Sequence, residues 1–211
     1  MTPKEKNYEN LADTLIEKFS RRGIEAYYTT TNEEAVTTAV RFLTPGCSVS
    51  WGGSETLKEI GLMNALHTTD CVLYDRTTAQ TPEEQKELYG KIAICDFYFM
   101  SSNAITLDGQ LVNIDGRGNR LAPFIYGPDN VIIIAGMNKV CTDVESAVKR
   151  VRNMAAPANV VRLDMKTPCA QTGKCGDCLS PECICSHLVV TRRAHIPGRI
   201  KVILVGKELG Y

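Results

Sequence analysis

The sequence lacks both a long apolar run and a net charge. No stretch approaches the roughly 20 apolar residues that a membrane-spanning helix needs, and residues 1–19 contain no apolar signal-peptide core. Lysine and arginine number 24, and aspartate and glutamate also number 24, so no basic field favours nucleic acid or an anionic membrane. We therefore expect a cytoplasmic protein that has no membrane span and binds no nucleic acid.

Nucleotide-binding fingerprints are missing as well. The chain contains neither a G-x-x-x-x-G-K-[ST] phosphate loop nor a G-x-G-x-x-G dinucleotide loop, and no flavin or nicotinamide signature is visible. Repeats, low-complexity segments and clear linkers are also absent. Any redox chemistry would therefore need a metal centre or a partner protein.

Strand and helix patterns alternate along the chain. Apolar spacing predicts helices over about 7–22 and 54–62, and a further helix over 143–154 that Pro157 ends. The continuous apolar run "NVIIIAG" is typical of a strand that is buried on both faces of a mostly parallel sheet. This order predicts a three-layer α/β fold. We expect one domain over 1–211, with a cysteine-rich insertion at 168–186 near the C-terminus.

The stretch "SVSWGGSETLKEIG" combines a strand, two glycines and a helix start. Glycines let the backbone approach a ligand closely, and the free N–H groups of a helix start favour phosphate or carboxylate. Gly52, Gly53 and Ser54 are therefore candidate ligand-binding residues. The alternative is an ordinary strand-to-helix turn with Ser54 as its N-cap.

The stretch "NAITLDGQLVNIDGRGNRLA" packs short polar side chains among glycines. Such side chains often bond their own backbone in turns, but at strand ends of an α/β sheet they can also converge on a ligand. Its densest part, "DGRGN", makes Asp115 a candidate catalytic residue and Asn119 a candidate ligand-binding residue. Asn113 and Arg120 are further ligand-binding candidates, and Arg117 and Arg120 could each pair with a carboxylate or phosphate through the guanidinium.

Lys139 follows the buried "NVIIIAG" strand in "IIAGMNKV". A lysine at the carboxyl end of a strand can bind substrate oxyanions or, once desolvated, act as a base. It is our second candidate catalytic residue, and a solvated surface lysine is the alternative.

Five of the nine cysteines lie in "PCAQTGKCGDCLSPECIC", with spacing C-x5-C-x2-C-x4-C-x-C. Reducing compartments disfavour disulfides, and C-x2-C can place two sulfurs on one metal. The spacing lies near a plant-type ferredoxin pattern without matching it, and zinc ribbons usually have two separate C-x2-C pairs. This favours an iron–sulfur cluster, with zinc, redox disulfides and free thiols left open. Cys183 and Cys185 are too close for both to bind one centre easily.

Several long motifs resemble the LUD-domain family, the lactate-utilisation proteins related to lactate utilization protein C. They are "WGGSETLKEIGL", "SSNAIT-DGQLVNIDGRGNRLA-IYGP", "AGMNKV", "RVRNMAAPANVVRL", "PC-TGKCGDC-SPE-ICSHLVVTRR" and "GRIKVILVGKELGY". The resemblance covers nearly the whole chain. It implies a NagB/RpiA/CoA-transferase-like fold, and it selects Cys169, Cys175, Cys178 and Cys185 as metal ligands, with Cys183 as the spare thiol.

The same resemblance implies a role in oxidising lactate to pyruvate. We expect a small carboxylated or phosphorylated ligand, a four-cysteine cluster (4Fe-4S, with zinc as the alternative), and electron transfer with iron–sulfur partner proteins of a lactate-oxidising system. A homo-oligomer is a further option. Two other functions remain open: a non-redox isomerase or acyl/CoA-handling enzyme with a structural zinc, and a non-catalytic subunit that docks a partner.

Overall fold

The computed structural model describes the whole chain, residues 1–211. It contains ten strands, which are β1 (Glu25–Thr29), β2 (Ser48–Trp51), β3 (Val72–Tyr74), β4 (Phe97–Met100), β5 (Ala104–Thr106), β6 (Leu111–Asp115), β7 (Asn130–Gly136), β8 (Val140–Cys141), β9 (His187–Thr191) and β10 (Ile200–Val205). Six of them form an all-parallel sheet in the order β1-β10-β7-β4-β2-β3. The carboxyl ends of these strands therefore share one edge of the sheet.

A smaller sheet of four strands has the order β8-β5-β6-β9. A hairpin joins β5 and β6, which pair antiparallel around the turn at Asp108-Gly109. β8 pairs parallel with β5, and β9 returns antiparallel along β6. Since β5 follows β4 after only three residues, the small sheet begins at the carboxyl edge of the large one.

Nine α-helices connect the strands: α1 (Pro3–Arg21), α2 (Asn32–Val40), α3 (Glu55–Glu59), α4 (Leu62–Leu66), α5 (Pro82–Ile92), α6 (Leu121–Ile125), α7 (Val144–Arg150), α8 (Ala156–Arg162) and α9 (Pro168–Thr172). Capping boxes begin three of them, with Thr2, Thr31 and Thr81 accepting a backbone hydrogen bond while a glutamate bonds back. No helix combines the length and the apolar composition that crossing a membrane demands.

Apolar clusters cover both faces of the large sheet. Alternate residues of β7 face opposite sides: Val131 and Ile133 join a cluster of 20 buried residues with α1 and α5, whereas Ile132 and Ile134 join a cluster of 15 with α2, α3 and α4. Because β7 is buried on both sides, its sequence is continuously apolar rather than alternating. The predicted α/β fold with a mostly parallel sheet is confirmed.

Two helix predictions were wrong in their limits. The helix expected over 54–62 is divided into α3 and α4 at Gly61, whose φ of 77° is the left-handed value that glycine tolerates. Pro157 does not end the helix that starts after Asp143. A π-helical turn over Val151–Ala155 precedes it, so Pro157 lies in the first turn of α8, where its missing N–H is tolerated.

Candidate functional site

A cavity of about 580 Å³ lies at the carboxyl edge of the parallel sheet. The loops that follow β2, β4 and β7 contribute to it, as expected for ligand sites in α/β folds. The cysteine segment and the last two residues of the chain line its other sides. Polar groups on its wall include Ser54, Thr56, Arg76, Ser101, Asp115, Arg117, Asn119, Arg120, Lys139, Arg162 and Glu182.

Positive charge exceeds negative charge on this wall. The basic side chains are Arg76, Arg117, Arg120, Lys139 and Arg162, against the carboxylates of Glu55, Asp115 and Glu182. Arg162 pairs with Glu55 at 3.2 Å and Arg120 with Asp115 at 3.8 Å. Arg76 and Arg117 have neither a hydrogen bond nor an ion pair with the rest of the chain. The cavity therefore offers two uncommitted guanidinium groups to an anion.

The glycine turn after β2 makes room for two of these arginines. A Cβ atom at Gly52 would lie 2.8 Å from Arg120 Cγ and 2.9 Å from the Tyr98 hydroxyl, and one at Gly53 would overlap the Arg76 guanidinium. Ser54 caps α3 by accepting a bond from the Leu57 N–H at 3.3 Å. Gly53 and Ser54 line the cavity, whereas Gly52 is buried behind it.

Arg120 is held by acceptors on three sides. Its Nη1 donates to the Ser101 carbonyl at 3.1 Å and to Asn113 Oδ1 at 3.0 Å, and its Nη2 donates to Asn103 Oδ1 at 2.8 Å and to the Ile114 carbonyl at 2.9 Å. Burial lowers the pKa of this guanidinium, and the nearby Asp115 opposes that effect. With these four bonds made, Arg120 ties the loop between β4 and β5 to β6 at the cavity wall.

The other polar candidates of this stretch either line the cavity or support its wall from behind. Asn113 is fully buried, does not line the cavity, and donates to Ser102 Oγ at 3.2 Å. Asp115 lines the cavity with 12% of its side chain exposed and accepts a bond from the Arg120 N–H at 3.1 Å. Asn119 also lines it and donates to the Tyr89 hydroxyl at 2.9 Å. Asp115, Asn119, Arg120 and Lys139 thus share one cavity, with Asn113 behind them.

Lys139 is buried at the base of the cavity, with 4% of its surface exposed. Its ammonium donates to Thr56 Oγ1 at 2.8 Å and to Ser101 Oγ at 2.9 Å, and no carboxylate lies within ion-pair distance. Burial, together with repulsion from Arg150 and Arg120, lowers its pKa from 10.5 to about 7, although Glu59 acts in the opposite direction. A substantial fraction of this amine is therefore neutral at physiological pH.

The cysteine segment follows α8 and forms one wall of the cavity. The loop around Ile184 packs on Gly116, where a Cβ atom would lie 3.1 Å from Ile184 Cα. Arg152 pairs with Asp177, and the Lys166 N–H donates to Glu182 Oε2 at 2.6 Å. The segment is thus fixed to the π-helical turn Val151–Ala155, to the loop after α8 and to the turn after β6.

All nine cysteines are free thiols. Burial and the neighbouring Cys183, Cys175 and Cys178 raise the pKa of Cys185 to about 11, so these four thiols lie in one neighbourhood. The Cys169 thiol, in α9, lies 3.3 Å from the Thr167 hydroxyl. No three cysteine, histidine or acidic side chains are arranged to hold one metal ion. Three of the predicted ligands, Cys175, Cys178 and Cys185, lie in this neighbourhood together with Cys183, and Cys169 is not among the thiols that act on Cys185. Four thiolates are the donor set that iron–sulfur clusters and structural zinc require.

Our sequence reasoning missed several groups on this wall, among them Thr56, Arg76, Ser101 and Arg162. Ser101 and Arg76 carried a usable signal, because Ser101 directly follows β4 and Arg76 comes two residues after β3. Parallel strands bring such positions to the same edge. Thr56 and Arg162 lie inside helices, and nothing in their local sequence marks them.

Comparisons with known proteins support the family resemblance. The LUD domain model matches residues 12–205, and no curated protein matches the chain significantly. The crystal structure of a DUF162 family protein from Deinococcus radiodurans is similar over 94% of this chain and 98% of that chain, with a TM-score of 0.56 and 12% identity. At that identity the likeness shows a shared fold alone.

Two eIF2B structures from Chaetomium thermophilum are more distant. eIF2B beta has a TM-score of 0.38 and 16% identity over 55% of this chain and 44% of that chain. The tetrameric eIF2B-beta2-delta2 complex has a TM-score of 0.43 and 15% identity over 82% of this chain and 55% of that chain. Helices on both faces of a parallel sheet are consistent with the NagB/RpiA/CoA-transferase-like fold. Because the LUD model spans nearly the whole chain, the protein belongs to the LUD-domain family.

Proposed function

We propose that this LUD-domain protein serves lactate or organic-acid utilisation by binding a small carboxylated or phosphorylated ligand in the cavity. The observation that carries the proposal is the pair of arginines, Arg76 and Arg117, which line the cavity without a partner in the chain. A guanidinium can hold a carboxylate or phosphate through two parallel N–H bonds. α3 has only five residues, so its start adds little to anion binding.

The proposed ligand contacts extend to Gly53, Ser54 and Asn119 on the same wall. Arg120, Gly52 and Asn113 support that wall from behind, since the N–H groups of Arg120 are already bonded within the chain. Asp115 and Lys139 are the proposed catalytic residues. A lysine whose pKa is about 7 can accept a proton from a bound substrate and return it at neutral pH.

Titration calorimetry of the purified protein with lactate, pyruvate and a sugar phosphate tests this proposal. At least one of these anions should bind, and Arg76→Gln should weaken its binding by about tenfold or more, because it removes a charge-assisted bidentate contact. Arg192→Gln is the matched control, since Arg192 is exposed and lies outside the cavity. If Arg76→Gln and Arg192→Gln bind every anion as the wild type does, the cavity is not the anion site.

The cysteine segment suggests a redox contribution beside the cavity. Under this proposal Cys169, Cys175, Cys178 and Cys185 hold a 4Fe-4S cluster, with zinc as the alternative, and the chain works in the cytoplasm beside iron–sulfur partner proteins. When bound, such a cluster supplies one-electron transfer. The chain's own contribution is to fix the loop, through Arg152 and Asp177 and through the packing of Ile184 on Gly116.

Anaerobic purification followed by iron, sulfide and zinc analysis tests the cluster. The protein should be brown, with broad visible absorption that Cys175→Ser abolishes. Cys141→Ser, which alters a thiol outside the segment, should leave the colour unchanged. A colourless protein with one equivalent of zinc would contradict the cluster and favour a structural metal site.

A further inference from the structure

Ser101 and Lys139 form a close hydroxyl–amine pair at the base of the cavity. Ser101 follows the last residue of β4, and Lys139 ends the short 3₁₀ turn after the neighbouring β7. The Lys139 amine lies 2.9 Å from Ser101 Oγ and 2.8 Å from Thr56 Oγ1. A nucleophile in hydrogen-bond contact with a base, which a third group orients, is the general arrangement of nucleophilic catalysis.

The surroundings of Lys139 favour its neutral form. Burial and the charges of Arg150 and Arg120 disfavour the ammonium, and Glu59 is the single acid that favours it. Because no carboxylate pairs with the amine, its lone pair is available to the Ser101 hydroxyl. The hydroxyl group of Thr56 does not ionise near neutral pH, so Thr56 orients the amine without adding a charge.

The pair is reachable from the cavity although both residues are largely buried. Ser101 is 7% exposed and Lys139 is 4% exposed, and both line the cavity. Gly210 packs closely against them, since a Cβ atom there would be 2.7 Å from Thr56 Oγ1 and 3.3 Å from Lys139 Nζ. Only glycine therefore fits at this position next to the amine.

We propose that Ser101 is a nucleophile in acyl transfer, with Lys139 as its general base and Thr56 as a positioning residue. The substrate class is a small ester or thioester whose acyl group carries a carboxylate or phosphate. That charge would be bound by Arg76 and Arg117, so the substrate class rests on the proposed function of the cavity.

The reaction balances without an oxidant or a reductant. Ser101 Oγ forms a bond to the acyl carbon while its proton passes to Lys139 Nζ. The bond from that carbon to the leaving oxygen or sulfur then breaks, and the proton moves from Lys139 to the leaving alcohol or thiol. Water or an acceptor alcohol or thiol then attacks the acyl-serine and passes its proton to Lys139, the bond from the acyl carbon to Ser101 Oγ breaks, and Lys139 returns the proton to Oγ. The products are the acid, the new ester or the new thioester, respectively.

A fluorophosphonate probe tests the proposal on the full-length protein. Intact-mass analysis should show one adduct per chain, peptide mapping should assign it to Ser101, and Ser101→Ala should abolish it. The labelling rate should rise with pH through a pKa near 7, as the amine loses its proton. Lys139→Met should lower the rate by about 100-fold or more, the usual contribution of a general base.

Ser186→Ala is the matched control, because Ser186 lines the same cavity and has no lysine partner. It should label at the wild-type rate. Absence of an adduct on folded wild-type protein, or labelling that is independent of pH, overturns the proposal even if Lys139→Met fails to fold. If the wild type binds an anion in calorimetry but does not react with the probe, the acyl-transfer proposal is refuted and the proposed anion-binding function stands. If the probe reacts with Ser101 but no anion binds, the proposed anion-binding function is refuted and the acyl-transfer proposal stands.

Discussion

Replacing Lys139 with methionine should change how stability depends on pH. The pKa of Lys139 is about 7 in the folded protein against 10.5 ordinarily. Between these values the unfolded chain binds more protons, so the wild type becomes more stable as the pH rises. Its penalty for burying the ammonium is fully present below pH 7 and disappears as the pH passes 10.5. Lys139→Met carries no such penalty at any pH.

The size of this effect follows from the two pKa values. The slope approaches about 1.4 kcal/mol per pH unit once the folded amine is neutral. From pH 7 to 9, the free energy of unfolding of the wild type should rise by about 2 kcal/mol relative to Lys139→Met. Urea denaturation of both proteins at several pH values measures this difference, and other groups that titrate in both proteins cancel. If the difference in free energy of unfolding between the two proteins stayed constant from pH 7 to 9, the Lys139 amine would not become neutral in this range.

Two further substitutions test the wall of the cavity. Arg120→Gln should lower the free energy of unfolding by about 3 to 5 kcal/mol, because it removes a buried guanidinium that makes four hydrogen bonds and pairs with Asp115. In the same urea denaturation assay Arg162→Gln should cost under about 1 kcal/mol, since Arg162 is more exposed. Equal losses would contradict the role of Arg120. Gly210→Ala should be less stable than Gly61→Ala in the same assay. Both glycines have positive φ, which costs an alanine about 1 to 2 kcal/mol. Only at position 210 would a Cβ atom also meet other atoms. If both variants lost the same free energy of unfolding, the neighbours of Gly210 would accommodate the Cβ atom without cost.

Much of the fold could be predicted from local patterns. The apolar spacing of α1, the capping threonines and the continuous apolar run of β7 each determine an element over a few residues. The two wrong helix limits had local causes that the apolar pattern does not report. At Gly61 the backbone adopts a left-handed conformation, and at Pro157 a π-helical turn lets the helix continue.

The candidate site could likewise be predicted only in part from the sequence. Asp115, Asn119 and Lys139 could be singled out because polar residues at strand ends stand out from their apolar neighbours. The choice between ligand contact and wall support could not be made from sequence, as Arg120 and Asn113 show. Both are polar residues of one motif, yet the structure gives Arg120 four internal acceptors and buries Asn113 completely.

By itself, the sequence determined the alternating elements, the family and the segment that carries the cysteines, because these depend on residues that are close along the chain. Only the tertiary structure decided which side chains meet. Lys139 lies 83 positions from Thr56 and 38 from Ser101, yet bonds both. That contact exists because β4 lies between β2 and β7 in the sheet, so the loops after all three strands end at one cavity.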